Sequence, residues 1–170
     1  MSPTRKRPGG YPIVHQQGPN DCGPACLAMV AAWHGLRFDD ARVRELARTG
    51  PGGTSLAGMI RAATALGLEA RGLRAADSAL GGIVLPAIAH CTEDGRHHYV
   101  VVFAVTPRRI TLGDPARGQR NLMRTTFRQI WTGILIVVTR HCRRADPNAP
   151  GASLAPVNDV NDVNDVNEML

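Results

Sequence analysis

The chain has 170 residues, of which 44% are hydrophobic and 20% are charged, and this composition is typical of one globular domain that folds without disulfides or a metal. No apolar run approaches the roughly 18 residues of a membrane-spanning helix, which excludes such a span, and the first ten residues lack the apolar segment of a secretory signal, so we expect a cytoplasmic protein. Residues 1–145 contain all 20 basic and nine of the 14 acidic residues, and their net charge of about +11 suits an acidic peptide or a nucleic acid as partner.

The first half of the chain predicts an arm followed by three helices. Residues 1–12 are basic and rich in Pro and Gly, which predicts a flexible arm. Three apolar runs then follow polar residues that can cap a helix, and each run ends at or near a glycine. The predicted helices cover residues 22–34 with a cap at Asn20-Asp21, residues 41–48 with a cap at Asp39 or Asp40, and residues 56–66 with a cap at Thr54-Ser55.

The second half of the chain predicts a sheet of short strands, because β-branched and apolar runs alternate with turn signals. The predicted strands cover residues 68–73, 83–91, 98–105, 110–113 and 134–139, and a short helix over 127–131 follows a cap at Thr125-Thr126. Pro86 in the second run predicts an edge strand or a bulge. Short turns favour antiparallel pairing, so the predicted fold class is α+β, with N-terminal helices packed on a mostly antiparallel sheet.

The C-terminal segment, residues 143–170, differs in composition from the rest. It contains three consecutive Val-Asn-Asp repeats between Val157 and Asp165. A polar repeat of three residues has no amphipathic face, which predicts a disordered tail. The folded domain would then cover residues 13–142.

Cys22 is the strongest candidate for chemistry. It lies at the predicted start of a helix, where the helix dipole and unpaired backbone N–H groups stabilise a thiolate, and Gly23 would let a substrate carbonyl come close to the backbone. A thiolate nucleophile needs a proton carrier and a group that orients this carrier. His98 opens the predicted central strand and Asp114 ends the next one, so a hairpin could bring the two side chains together. The residues alone therefore permit a Cys-His-Asp hydrolytic site.

Three choices stay open on the residues alone. Gln16 and Gln17 both precede the helix, and either amide could donate a hydrogen bond to an oxyanion. His97 stands next to His98 and competes with it as the proton carrier. Cys26 lies one helical turn after the candidate nucleophile, and we interpret it as a small core residue.

Two other kinds of site are disfavoured. A zinc site formed by Cys22, His97 or His98 and Asp114 lacks the close Cys/His pairs of the familiar ligand spacings, so we expect neither a metal nor another cofactor. An aromatic content of 4% and arginines spread over many segments disfavour a nucleic-acid partner.

The segment that contains the candidate nucleophile resembles a known family. Residues 16–30 read QQGPNDCGPACLAMV and are similar to the catalytic segment of the bacteriocin-processing cysteine peptidases, the papain-like domains usually found at the N-terminus of peptidase-containing ABC exporters. The resemblance continues through residues 98–102, 113–118 and 127–133, so it covers roughly residues 11–140. It implies a papain-like cysteine peptidase fold.

The resemblance also implies a role for each candidate residue. Cys22 would be the nucleophile, and His98 the general base and acid. Asp114 would orient the imidazole, and Gln16, six residues before the nucleophile, would donate to the oxyanion. Gln17 would then have no catalytic role.

Members of the resembled family cut a leader peptide after a Gly-Gly pair. The implied substrate is therefore a precursor peptide with such a leader. Because the sequence contains neither membrane spans nor an ATPase domain, we expect either a stand-alone peptidase that works beside a separate ABC exporter at the inner face of the membrane, or a fragment of a longer protein. The alternative is a non-catalytic module that only binds the leader.

Overall fold

The computed structural model describes residues 10–140 and 161–162, and within these residues it has four α-helices and one antiparallel sheet of seven strands. The α-helices are α1 (Cys22–Trp33), α2 (Asp40–Ala47), α3 (Leu56–Ala65) and α4 (Arg124–Ile130), and a 3-10 helix spans Asp77–Gly82. The strands are β1 (Leu68–Arg74), β2 (Ala87–Glu93), β3 (Arg96–Val105), β4 (Arg109–Asp114), β5 (Gly118–Met123), β6 (Trp131–Arg140) and β7 (Asn161–Asp162). The predicted α+β class is confirmed.

The strands lie in the order β5-β4-β3-β2-β6-β1-β7. Strands β2 to β5 follow one another through short turns and pair in sequence, and β6 then returns to lie between β2 and β1. In the β3–β4 hairpin Val101 pairs with Gly113 and Val102 with Leu112. This register brings the start of β3 close to the end of β4.

Different helices pack on the two faces of the sheet. One face packs against α1 and α3, with α2 packed on these two helices, and the buried residues of this side of the domain include Leu27 of α1 and Val101, Phe103 and Ile136 of the sheet. The other face packs against α4 and the 3-10 helix, and its buried residues include Leu80, Val100, Leu112, Phe127 and Leu135. The sheet therefore forms the middle layer of the domain.

Gly113 allows α1 to lie close to the sheet. A Cβ atom at this position would lie 2.6 Å from Cε2 of Phe103 on β3 and 3.0 Å from Sδ of Met29 on α1. Both contacts are shorter than carbon atoms in a packed core tolerate, so only glycine fits here without a shift of its neighbours.

The predicted helices α1, α2 and α3 are confirmed, and each observed boundary lies within one residue of the predicted one. The caps of α2 and α3 are confirmed as well, because the side chain of Asp39 accepts from Ala41 N and that of Ser55 accepts from Gly58 N. Asp21 precedes α1 as predicted, but its side chain makes no capping bond. It forms an ion pair with Arg44 of α2.

Two sequence predictions about the sheet half are wrong, and one strand was missed. The edge-strand alternative at Pro86 is wrong, because Pro86 precedes β2 and β2 lies inside the sheet between β3 and β6; the alternative of a bulge has a counterpart in the register shift of β2 against β6 between Ala89 and Cys91. Thr125 and Thr126 lie inside α4, which follows Met123. Strand β5 was not predicted, since its sequence GQRNLM is polar and has no β-branched residue.

The predicted arm and tail fall mostly on residues 1–9, 141–160 and 163–170, which lie outside the described residues. Tyr11 stacks on Phe103 with 4.8 Å between ring centroids, so packing against the core starts before the predicted boundary at residue 13. In the C-terminal segment Asn161–Asp162 pairs antiparallel with Leu73 and Arg74 of β1. Within the part of the chain that the structure describes, no helix is long and apolar enough to cross a membrane.

Candidate active site

Cys22 is the first residue of α1 and lies where this helix meets the sheet. Its side chain is 8% exposed, and the nine residues that follow it are all buried. Gly23 serves packing here, because a Cβ atom on it would lie 2.8 Å from Sδ of Met59 and 3.0 Å from Thr54. The sequence interpretation, which gave this glycine the task of admitting a substrate carbonyl, missed this contact with α3 and the loop before it.

His98 and Asp114 meet as the hairpin predicts. His98 is the third residue of β3, Asp114 is the last residue of β4, and Nε2 of His98 lies 2.9 Å from Oδ1 of Asp114. His98 is also hydrogen-bonded to the thiol of Cys22. The structure therefore brings three of the four candidate residues into one hydrogen-bonded series.

The charges in this series reinforce one another. Burial lowers the pKa of His98, but the hydrogen bonds with Asp114 and Cys22 and the negative charges of these two groups raise it to about 9. Burial raises the pKa of Asp114, but hydrogen bonds from His98, Ala116 and Arg120 bring it well below its usual range. At neutral pH a protonated imidazole thus lies between a carboxylate and a sulfur atom.

Asp114 is fully buried, and both of its oxygen atoms have partners. Besides His98, Oδ1 accepts from the backbone N–H of Ala116 at 2.9 Å, within the turn that follows β4. Oδ2 accepts from Nη1 of Arg120 on β5, also at 2.9 Å. The sequence interpretation missed Arg120, because the strand that carries it was not predicted.

Gln16 lies beside this series. Its backbone N–H donates to the carbonyl of Pro115 at 3.1 Å, which ties the segment before α1 to the turn after Asp114. Its side-chain Nε2 donates to the carbonyl of Gly18 at 2.8 Å, and Oε1 is buried without a partner among the described residues. Gln17 is exposed. Of the two candidate amides, only that of Gln16 lines a cavity together with His98.

His97 does not take the place of His98. Its ring stacks on that of His90 with 5.1 Å between centroids. His90 is 2% exposed, and its Nδ1 lies 2.9 Å from Oγ1 of Thr132. Burial first, and then the charges of His97 and His98, lower the pKa of His90 to about 4, so this ring is neutral near pH 7.

Two cavities flank the pair of Cys22 and His98. One has a volume of about 250 Å³ and is lined by Cys22, residues 52–55, His90, His97 and Tyr99. The other has a volume of about 500 Å³ and is lined by Gln16 and His98 together with residues of the β2–β3 turn and of the turn after β4. An extended chain that ran from one cavity to the other would pass the thiol and the imidazole.

Tyr99 is a feature of the first cavity that sequence reasoning missed. The residue is 5% exposed, and its hydroxyl has no hydrogen-bond partner among the described residues. Burial, and then the charges of Cys22 and Cys26, raise the pKa of this hydroxyl above its usual value, so it keeps its proton. A buried donor without a partner, in a residue that lines the cavity of the candidate nucleophile, is uncommon in folded proteins. Its position directly after His98 was the only signal in the sequence.

The other described cysteines are not placed for catalysis. Cys26 and Cys91 are buried, and none of the described cysteines forms a disulfide. Burial, and then the charge of Cys22, raise the pKa of Cys26 well above its usual value. Burial, and then the charges of Glu93 and Asp114, raise the pKa of Cys91 to about 12. Within residues 10–140 no group of three or more His, Cys, Asp or Glu side chains could hold a metal ion.

Comparisons with known proteins show what the chain is similar to. Residues 10–143 match the profile of the Peptidase C39 family. An uncharacterized protein of Methanothermobacter marburgensis is 41% identical over 132 residues, which are 78% of this chain and 91% of that protein. The lactococcin-G-processing and transport ATP-binding protein LagD of Lactococcus lactis is 37% identical over 127 residues, which cover 73% of this chain but only 18% of LagD.

Solved structures show the same papain-like α+β fold. The peptidase domain of Streptococcus ComA, a bifunctional ABC transporter of a quorum-sensing pathway, matches with a TM-score of 0.72 and 33% identity over 76% of this chain and 98% of that domain. A double-glycine-motif protease from an AMS/PCAT transporter, solved with its leader peptide, matches with a TM-score of 0.73 and 26% identity over 82% of this chain and 99% of that protein.

Proposed function

This chain belongs to the Peptidase C39 family, and we propose that it is an active cysteine peptidase that removes a leader peptide by cutting a precursor after a Gly-Gly pair. The observation that carries the proposal is the hydrogen-bonded series Cys22–His98–Asp114, with cavities on both sides of it. Relatives that process and transport peptides, such as LagD, support the substrate class.

The proposed reaction starts with Cys22. Its thiolate sulfur attacks the carbonyl carbon of the second glycine, and the electron pair of the C=O bond moves onto oxygen. When the C–N bond breaks, His98 gives its proton to the leaving amine, and the leader stays on sulfur as a thioester. His98 then takes a proton from water, whose oxygen attacks the thioester and frees the leader and the thiol. Asp114 keeps the imidazole in the orientation that both proton transfers need.

Gln16 would stabilise the oxyanion together with the backbone N–H of Cys22. The bond to the carbonyl of Gly18 uses one of the two hydrogens on Nε2, so the other remains for the oxyanion. The backbone bond from Gln16 to Pro115 supports this assignment, because it fixes the glutamine to the turn that follows Asp114. Donors fixed before the reaction need no reorganisation when the charge develops.

The first cavity supports selection for glycine. His97 and Tyr99 border it from β3, and residues 52–55 border it from the loop before α3. A peptide between these walls would meet a tyrosine hydroxyl that can donate to one of its backbone carbonyls. Side chains larger than a hydrogen atom next to the cut bond would compete with these walls for space, so we propose that the site selects by exclusion.

Affinity would then come from the leader upstream of the cut. A glycine pair offers no side chain to bind, so an amphipathic leader helix with apolar and acidic residues would supply the contacts. The net charge of about +11 on residues 1–145 favours acidic leaders, and Arg48, Arg61, Arg71 and Arg74 are exposed on or next to α2, α3 and β1. We propose an ABC exporter as the protein partner, since relatives such as LagD also transport.

The test uses a synthetic peptide with an acidic, amphipathic leader, a Gly-Gly pair and a short extension. We expect cleavage after the second glycine, no cleavage when that glycine is replaced by valine, and leader affinity for the Cys22→Ala protein that stays within about tenfold between the two peptides. A free hexapeptide that contains Gly-Gly should be a very poor substrate.

Three outcomes would contradict the proposal. Efficient cutting of the hexapeptide or of unfolded proteins would indicate a general protease. Binding of the leader without any turnover would indicate a binding module, and such a module would leave Cys22 unreactive toward iodoacetamide at mildly acidic pH. Cleavage of the valine peptide would remove the selection for glycine.

A further inference from the structure

The second oxygen of Asp114 has a partner that the proposed reaction does not use. Oδ1 faces His98 and the N–H of Ala116, whereas Oδ2 accepts from Nη1 of Arg120 at 2.9 Å. Asp114 has no exposed surface, so water does not offer an alternative donor for Oδ2. Arg120 is therefore the group that satisfies the side of the carboxylate turned away from the imidazole.

Arg120 is itself held in place. It lies on β5, opposite Leu112 of β4, and its side chain is 23% exposed. The same Nη1 atom donates to Oε1 of Glu93 at 3.0 Å, and Glu93 ends β2 directly before the turn that leads to β3. A continuous series of contacts, Glu93–Arg120–Asp114–His98, thus connects four strands of the sheet.

Arg117 is a weaker candidate for the same task. It pairs with Glu93 but lies 3.7 Å from Oδ2 of Asp114, and its side chain is 50% exposed. An arginine that is half in water loses much of its electrostatic effect to solvent and to salt. Arg120 has the shorter contact and the more buried position.

We propose that Arg120 is a positioning residue for the peptidase reaction, which holds the Asp114 carboxylate in the orientation that meets His98. The proposal rests on the proposed function, since it concerns the same catalytic series. Without the guanidinium, Oδ2 would be a buried carboxylate oxygen without a donor. The carboxyl group would then rotate or take up a proton, and its hydrogen bond to the imidazole would weaken.

The pKa of His98 distinguishes a positioning role of Arg120 from a direct effect of its charge on the imidazole. Loss of a nearby cation would by itself favour protonation of the imidazole and raise its pKa. Loss of a well-oriented Asp114 would lower it. The substitution leaves the other titratable and charged groups near the two residues unchanged. Around His98 these groups are Cys22 on α1 and His90 on β2. Around Asp114 they are Cys26, Cys91 and Arg117. The direction of the change therefore shows which effect dominates.

The experiment compares Arg120→Gln and Arg120→Lys with Arg124→Gln as the matched control. Arg124 is the first residue of α4, directly after β5, and it also pairs with an aspartate, Asp77, at 3.0 Å, but this aspartate is not part of the proposed catalytic series. The imidazole titration is followed by NMR in all proteins and assigned with a His98→Gln spectrum. The melting temperature is measured in parallel.

We expect Arg120→Gln to lower the midpoint of the His98 titration by about one pH unit, and Arg120→Lys to restore part of it, because an ammonium can still donate to Oδ2. Cleavage of the synthetic leader peptide should show a fall of about tenfold in kcat with little change in KM. Arg124→Gln should change neither the midpoint nor kcat.

An unchanged or raised midpoint in folded Arg120→Gln would overturn the proposal. Should this variant fail to fold, Arg120→Met, which keeps the apolar stem of the side chain, provides the second measurement. It also removes the donor to Oδ2 and should lower the midpoint, whereas an unchanged or raised midpoint would overturn the proposal. The titration needs no substrate, so it remains informative even if the wild-type protein cleaves no leader, which would contradict only the proposed function.

Discussion

The imidazole of His98 and the carboxylate of Asp114 lie 2.9 Å apart because of strand register, since the two residues stand diagonally across the β3–β4 hairpin. Val101 pairs with Gly113, so His98, three residues before Val101, and Asp114, directly after Gly113, lie at the same end of the two strands. The contact is therefore built into the ladder of backbone hydrogen bonds. Cys22 reaches the pair from the helical layer.

Substitution of the two cysteines of α1 separates chemistry from packing. We expect Cys22→Ala to abolish cleavage of the leader peptide, because it removes the thiol that is hydrogen-bonded to His98. Cys26→Ala should keep activity and lose about 1 kcal/mol of stability, because its thiol is fully buried in the core. Cleavage assays and urea unfolding of both variants provide the measurement. An essential Cys26 with a dispensable Cys22 would show that the nucleophile is wrongly assigned.

The pKa of His98 predicts how stability depends on pH. Its value in the folded protein, about 9, lies above the ordinary value of 6.5, so folding favours the protonated form. The resulting stabilisation is complete below about pH 6.5 and is lost as the pH rises through about 9. Urea unfolding at pH 6 and pH 9.5 should therefore show a larger loss of unfolding free energy for the wild type than for His98→Gln. An equal loss in both proteins would mean that the folded pKa is not raised.

Substitution of the two adjacent glutamines, Gln16 and Gln17, tests which side chain stabilises the oxyanion. Gln16→Ala should lower kcat by roughly 10²–10³-fold, the usual effect of removing one oxyanion donor. Gln17→Ala should leave kcat nearly unchanged, because this side chain is exposed and does not line the cavity of His98. Steady-state kinetics on the synthetic leader peptide measure both. Comparable losses would contradict the assignment of Gln16.

Gly58 predicts a large effect on stability through the packing of α3 against α2. A Cβ atom on this residue of α3 would lie 2.4 Å from the backbone carbonyl oxygen of Ala47 in α2. A backbone atom cannot move aside as a side chain does, so Gly58→Ala should cost about 1–3 kcal/mol through overpacking. Gly81→Ala is the control, since nothing lies within 4 Å of its Cβ position. Thermal unfolding of the two variants checks the difference.

Local signals in the sequence predicted the elements that carry Cys22, His98 and Asp114, whereas the choice of His98 over His97 came from the resemblance to a known family. Asp39 and Ser55 are strong helix caps, and the turn at residues 93–95 starts β3 where His98 needs it. An apolar β-branched run fixed β3 as an interior strand. Each of these features depends on residues close together in the sequence, and each is confirmed.

Features that depend on distant partners could not be predicted. The polar segment that forms β5 becomes a strand because β4 supplies a ladder for it, and Arg120 gains its place only through that pairing. Asp21 has the composition of a helix cap, but Arg44 on another helix attracts its carboxylate. Tyr99 is notable because its buried hydroxyl has no hydrogen-bond partner among the described residues, and no local sequence pattern predicts this.

The gap between the helical layer and the sheet is set by a residue without a side chain. Met29 on α1 and Phe103 on β3 both approach Gly113, which directly precedes Asp114. A methyl group there would act as a spacer and push the helix that carries Cys22 away from the strand that carries His98. A displacement of about 1 Å between reacting groups can slow an enzyme about 10²-fold. The distance between the thiol of Cys22 and the imidazole of His98 thus depends on the absence of a Cβ atom at Gly113.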